Sequence, residues 1–305
     1  MFFHFGFPVT PFIHRLDVGK GFTLPDGGLS NITASETEIC LQPVFWVWYP
    51  SKTIRRGKHL KALINHKNQK ETDGFLKWPR LIQGTLLRRY KRFMADVRLR
   101  NGHVVTAHCP NSGSMQGCSE PGRPVYLSTH TNPKRRLKYT WEMIHMATSW
   151  VGVNTLIPNR LVAASIQAGQ VDALSGYPVL RREVKYGGNS RIDLLLEQDG
   201  NRCFVEVKNC TLVNHKTAYF PDAVTARGLK HLVSLQREAA NGHRAVMFYL
   251  IQRMDALGFS PADHIDAVYG AELRKAVQNG VEIMAYDVII NRKGIRLHRP
   301  LEVSM

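Results

Sequence analysis

Two adjoining runs, RIDLLLE (residues 191–197) and CFVEVKN (203–209), read as β-strands of an apolar interior, yet they carry Asp193, Glu206 and Lys208. Side chains alternate faces along a strand, so Glu206 and Lys208 point the same way, about 6–7 Å apart. The intervening turn, residues 198–201, makes the runs a hairpin and lets Asp193 lie across from the Glu-x-Lys pair. Charges on buried strands need partners, which restricts what can be built around them.

A divalent cation is one such partner. Two carboxylates and a backbone carbonyl suit Mg²⁺, or Mn²⁺ in its place, because the ion prefers oxygen ligands and retains waters. It would polarise a phosphodiester and acidify a bound water for in-line attack, with the lysine orienting that water and offsetting phosphate charge. Glu183, in the preceding run RREVKY, is a candidate further ligand. The competing reading is a structural ion-pair cluster of the same three residues. Glu-x-Lys alone is a common string. Its specificity comes from the Asp on the same hairpin, with twelve residues between it and the Glu, and from a helix and strand before and a helix after.

The surrounding order supports that setting. Pro158 opens a helix running to about Ala168, with Gly169 beyond it. Three strands follow, then a helix expected from Asp222 to Ala240 after Pro221, the buried strand RAVMFYLIQ, the helix AVYGAELRKAVQNG and a final strand VEIMAYDVII. The series α-β-β-β-α-β-α-β implies a mixed sheet flanked by helices. On the second helix, Arg227, Lys230 and His231 fall near one face and are either phosphate contacts or a solvated surface. Gln252 ends its strand as a polar tip, suited equally to the site or to an edge.

Residues 81–150 look all-β. LIQGTLLRRY and RFMADVRLR precede Asn101-Gly102, a hairpin signal, and HVVTAHCP, PVYLST and LKYTWEMIHMATSW follow. Five short strands with Gly/Pro turns suggest a small OB-like β-barrel. Residues 74–150 hold 13 Lys/Arg against 3 Asp/Glu, within a chain of net charge +17, so this segment is the candidate polyanion binder. Arg88, Arg89, Tyr90, Lys91, Arg92 and Phe93 interleave cations with aromatics, and Lys134, Arg135, Arg136 and Lys138 form a second cluster. Cations neutralise phosphates while aromatics stack on bases. The run 111–114 (NSGS) offers N–H groups for an anion nest. His108 and Cys109 lack the two further ligands that a metal site needs.

Residues 1–73 show neither helical nor strand periodicity and read as a poorly structured extension. The character changes near Phe75, so the translation start is expected to lie downstream, with Leu76 the candidate first residue. The domain division expected is thus 1–73, 74–150 and 151–305. Five cysteines without a C-x-x-C pair argue against a disulfide framework or zinc ribbon. No apolar run approaches the ~20 residues of a membrane span. The start MFFHFGFPVTPF lacks a cationic leader, so a cytoplasmic protein with no membrane partner is expected.

The strings VTAHCPNSGSM, NPKRRLKYTWEM, VGVNTLIPNRLV, LSGYPVLRREVKYGGNSRIDLLLE, FVEVKNCTLV and YFPDAVTARGLKHL resemble the bacterial sugar fermentation stimulation proteins, over about residues 81–303. The resemblance implies a mixed α/β chain: an N-terminal OB-like barrel followed by a PD-(D/E)xK restriction-endonuclease-like domain. Its acidic position falls on Asp193, its E-x-K on Glu206 and Lys208, and the acid of the preceding strand on Glu183. It implies a DNA-binding protein (RNA being the other candidate) that is either a metal-dependent nuclease or a non-catalytic regulator of maltose and other sugar use. Ser112 stands where Thr is usual, Asn209 where Ser is usual and Leu229 where Gln is usual.

Overall fold

The computed structural model describes residues 73–186 and 190–305. The expected extension, residues 1–73, lies outside them except for Asp73. No described helix is long and apolar enough to cross a membrane.

After a short strand β1 (Phe75–Lys77), the barrel is built from β2 (Leu81–Tyr90), β3 (Met94–Leu99), β4 (Val104–His108), β5 (Pro124–Thr129) and β6 (Tyr139–His145), with β7 (Trp150–Gly152) added at its edge. The sheet order β4-β3-β2-β5-β6-β7 closes through a parallel β4–β6 pairing. Alternation along β2 and β3 sends Leu86, Ala95 and Val97 inward, onto Val125, Leu127 and Trp141. The β3–β4 hairpin turns at Asn101-Gly102, where Gly102 has φ +84°, a conformation glycine adopts without strain.

The remaining elements are α1 (Ile157–Gln167), β8 (Val179–Tyr186), β9 (Ser190–Gln198), β10 (Asn201–Cys210), β11 (Leu212–Asn214), β12 (Thr217–Phe220), α2 (Ala226–Ala240), β13 (Arg244–Ile251), β14 (Gly258–Pro261), α3 (Ala267–Gln278), β15 (Val281–Ile290), β16 (Gly294–Pro300) and β17 (Glu302–Val303). They form a seven-stranded mixed sheet in the order β1-β16-β15-β13-β10-β9-β8 and a small sheet in the order β11-β12-β14-β17. The centre, β10-β13-β15, is parallel and buried on both faces, so its strands read as continuous apolar runs. Val205, Val207, Val246 and Phe248 pack under Leu161 and Val162 of α1. Phe204, Met247 and Tyr249 pack against Leu232 and Leu235 of α2 and Leu273 of α3.

Several boundaries differ from the sequence expectation. β1 pairs with β16 in the large sheet rather than joining the barrel, and β7 extends the barrel past residue 150. The helix expected from Asp222 begins at Ala226. The Asp222 carboxylate accepts from Ser114 Oγ (3.0 Å) and the Met115 N–H (3.0 Å), so it does not cap the helix. Thr225 does, accepting from the Gly228 N–H at 3.0 Å. VEIMAYDVII is followed by two further strands, β16, in which buried Ile295 and Leu297 alternate with exposed Arg296 and His298, and the two-residue β17. Strands of two to four residues, such as β11, β12 and β14, are too short to show a period.

Candidate active site

The β9–β10 hairpin forms as expected, with Gln198 opposite Asn201, and its paired register ends at Leu194–Val205. Beyond that point the strands part, and the Asp193 carboxylate enters the gap. One oxygen accepts from the Val207 N–H at 2.9 Å and the other from Asn159 Nδ2, on α1, at 2.7 Å. Burial first, and then the charge of Glu206, push the Asp193 carboxyl up to about 6.

Glu206 and Lys208 share a face of β10, as alternation requires. Lys208 Nζ donates to Glu206 Oε1 at 2.6 Å, and the same oxygen receives His231 Nδ1 from α2. His231 Nε2 accepts from Arg227 Nε at 3.4 Å. Lys208 Nζ also lies 3.1 Å from His231 Nδ1, so the lysine and the histidine meet over the same Glu206 oxygen. Burial opposes the Glu206 charge most strongly, but the His231 bond and the adjacent Lys208 outweigh it and hold the carboxyl below its usual range. Glu206 Oε2, by contrast, is buried without a partner.

Glu183 stands exposed on β8 in a left-handed conformation, φ +54°. Its Oε1 lies 3.5 Å from Asn159 Nδ2, so Asn159 bridges it to Asp193. Among the described residues no set of three or more His, Cys, Asp or Glu side chains is gathered tightly enough to hold a metal by itself. The donor chemistry still fits a hard divalent cation. Asp193 feels the charge of Glu206, and the orphaned Glu206 oxygen, costly to bury, is one that a cation would satisfy.

The sequence missed Asn159. A neutral amide in the first turn of a helix carries no pattern that separates it from a solvent residue. It had placed His231 on the Arg227 face but not on Glu206. Gln252, left between two roles, is fully buried; it donates to Asn209 Oδ1 at 2.6 Å and to the Asn154 carbonyl at 3.3 Å.

The barrel cations divide. Arg88 pairs with Asp96 at 2.8 Å and lies 4.8 Å from the Tyr90 ring centre, while the Tyr90 hydroxyl donates to Asp96 at 3.2 Å. Arg89 is partly buried and donates to the carbonyls of Asn111, Gly113 and Ser114, clamping that loop. Lys91 and Arg92 are exposed at the β2–β3 turn, and Lys134, Arg136 and Lys138 are exposed in the β5–β6 loop. Arg135 donates to Thr140 Oγ1 at 3.3 Å. Arg227 and Lys230 are exposed on α2. In the run expected to form an anion nest, residues 111–114, the Gly113 N–H goes to Asn111 Oδ1, while the Asp222 carboxylate takes the Ser114 hydroxyl and the next N–H, that of Met115. Cys109 is buried 3.4 Å from Met115 Sδ, and Cys118, Cys203 and Cys210 are likewise buried free thiols.

A cavity of about 450 Å³ runs between this loop and the segment leading into α2, lined by Arg89, Arg92, Ser112, Val224 and Thr225. It shares Ser112, Gly113, Phe220 and Asp222 with a smaller cavity of about 250 Å³ that reaches Asn209 and Thr155.

Family models for the "Sugar fermentation stimulation protein RE domain" and the "SfsA N-terminal OB domain" match residues 156–294 and 87–153. A sugar fermentation stimulation protein homolog of Geobacter sulfurreducens is 56% identical over 223 residues, covering 73% of this chain and 96% of that one. The homolog of Pelobacter propionicus is 53% identical, over 75% and 100%. A solved structure, SfsA of Pyrococcus furiosus in complex with Ca²⁺, shares 25% identity at a TM-score of 0.70 and covers 75% of this chain and 98% of that one.

Proposed function

The chain belongs to the sugar fermentation stimulation protein (SfsA) family, and from that premise we propose that it grips nucleic acid with its OB barrel and hydrolyses phosphodiester bonds with a divalent cation at Asp193 and Glu206. The observation that carries the reading is the unpartnered, buried Glu206 Oε2 beside Asp193 and Lys208. That the Pyrococcus relative is solved in complex with Ca²⁺ supports a divalent cation as a ligand; Mg²⁺ or Mn²⁺ is the proposed ion here. When bound, such an ion supplies Lewis-acid polarisation of the phosphodiester and acidifies water.

The protein's own groups supply the rest. Asn159 and the Val207 N–H hold the Asp193 carboxylate in place. The Lys208 ammonium, tethered to Glu206, orients the attacking water and offsets charge that develops on the phosphate. His231 fixes Glu206 and in turn draws Arg227 to the mouth of the site. Glu183 is a peripheral ligand candidate, reached through Asn159.

For the barrel, an OB-fold binds oligonucleotides on its second and third strands, between the first hairpin turn and the last strand-to-strand loop. Here that face is β3 and β4, and the flanking segments carry Lys91 and Arg92 on one side and Lys134, Arg135 and Arg136 on the other. DNA is the proposed partner, with RNA a second substrate to be tried. The buried free thiols support a cytoplasmic setting.

Purified protein incubated with plasmid, single-stranded DNA and RNA in Mg²⁺ or Mn²⁺ is expected to cleave at least one of them, and EDTA to stop it. A second reading, a non-catalytic DNA-binding regulator of sugar use, is favoured by the hold that Lys208 and His231 already have on Glu206. It prevails if wild type and Lys208→Ala are equally inert while both bind DNA.

A further inference from the structure

The smaller cavity is walled by Asn111, Ser112, Thr155, Asn209, Phe220 and Asp222. At about 250 Å³ it lies just under the roughly 300–1,000 Å³ of ordinary small-molecule pockets. That suits one ring system and excludes a duplex, whose major groove alone is about 12 Å wide. Asn209, one residue beyond Lys208 on β10, lines it. Gln252, fully buried, holds Asn209 Oδ1 at 2.6 Å, so it is the amino group of Asn209 that is turned to the cavity as a donor. Phe220 contributes an aromatic wall, itself braced by Tyr249 and Tyr269 with ring centres 5.4 and 5.3 Å away.

The approach is also unsuited to paired strands. Val224, lining the larger cavity that adjoins this one, is 79% exposed, and Leu156, beside the lining Thr155, is 68% exposed. Bare apolar side chains at a rim gain nothing from the phosphates of a duplex but are covered by unstacked bases. Arg92 lines the same larger cavity and can meet the phosphate of an entering strand.

We propose that the smaller cavity receives one unpaired nucleobase, hydrogen-bonded by Asn209 and faced by Phe220, so that the chain prefers single-stranded or frayed nucleic acid to intact duplex. This rests on the nucleic-acid part of the reading above, and it names the substrate class. An extruded base costs least where it is already unpaired, which gives the preference its direction.

The test measures binding by fluorescence anisotropy, with the full chain in EDTA, of a labelled single-stranded oligodeoxynucleotide and a blunt hairpin of the same length. Wild type is expected to favour the single strand by about tenfold, from one stacked base and one hydrogen bond. Asn209→Asp keeps the Gln252 bond but turns the donor into an acceptor; Ser112→Trp, at an exposed loop position, fills the cavity with Asn209 itself unaltered. Both are expected to bring single-strand affinity down to the hairpin level and leave hairpin affinity unchanged. Equal wild-type affinity for the two probes, or a preference that survives both substitutions, overturns the pocket. Binding of neither probe overturns the nucleic-acid reading and this inference with it. Metal-dependent hydrolysis, compared between wild type and Lys208→Ala, reports on the nuclease reading separately.

Discussion

On the large sheet, Glu206 and Lys208 leave only 2% and 13% of their side chains exposed, and each is held by a neighbour. On the barrel, Arg88 leaves 68% exposed although it pairs with Asp96, and its neighbours Lys91 and Arg92 stand in solvent. The difference teaches how far a charge can be read from sequence. A charge on an apolar strand has to find partners, so its position predicts an assembly. A charge on a surface is stable almost anywhere, so a cluster predicts a field but not the duty of any member. Arg89 and Arg92, three residues apart, make the point within one hairpin: the first clamps a loop, the second is free to meet a ligand.

The sharpest way to break this comparison is to remove the buried amine. Lys208→Ala is expected to lower metal-dependent hydrolysis by about 10²–10³-fold, the usual cost of losing one preorganised electrostatic group, with nucleic-acid affinity retained. Gel-based cleavage and anisotropy on the same preparation check both halves. Loss of binding in step with activity would mean that the sheet site and the barrel are not separate in duty.

The barrel should respond in the opposite sense. Lys91, Arg92, Lys134 and Arg136 replaced together by Ala are expected to weaken binding and to flatten the dependence of log K on log salt. Each lost phosphate contact removes about 0.7 from the slope on single strands. Hydrolysis at saturating substrate should change little. A salt slope identical to wild type would move the gripping surface off the β2–β3 turn and the β5–β6 loop.

A smaller effect separates Arg89 from these four. Arg89→Ala is expected to leave the salt slope unchanged but to cost about 1–3 kcal/mol of stability, because carbonyls of the 111–114 loop lose their donor. Urea denaturation measures it. A wild-type midpoint combined with a flatter salt slope would return Arg89 to the phosphate-binding set.

The same physics explains what was legible. Asp193, Glu206 and Lys208 stood out because their neighbours were apolar, and the hairpin between them followed from strand length and turn residues. Asn159 was invisible, since a neutral amide on a helix offends no pattern. Asp222 and Thr225 are both good helix caps, and only a tertiary contact from the barrel loop, engaging Asp222, decides between them. The β1–β16 pairing joins segments more than two hundred residues apart, and three-residue β1 carries no periodicity to announce it.

Glu142 offers the finest test, because it is a barrel charge under the sheet's rules. It is 4% exposed on β6, with Ser128 Oγ donating to one oxygen at 2.6 Å and Asn154 Nδ2 to the other at 2.7 Å. Burial raises its carboxyl above the ordinary value, more than these hydrogen bonds and the more distant Arg160 and Arg135 lower it. The folded state therefore holds this proton more tightly than the unfolded chain. Its contribution to stability is complete below the ordinary carboxyl pKa and is lost as pH rises through the elevated folded value. Glu142→Gln keeps both contacts, with the new amide donating to Ser128 Oγ and its carbonyl accepting from Asn154, and removes the titration. The variant should gain on wild type in denaturation midpoint as pH rises from about 4 towards neutrality, where the two curves become parallel. A difference that is constant over that range, or one that grows towards acid, would mean that Glu142 is as easily ionised inside the barrel as in water, and that burial does not govern charge on this side of the molecule.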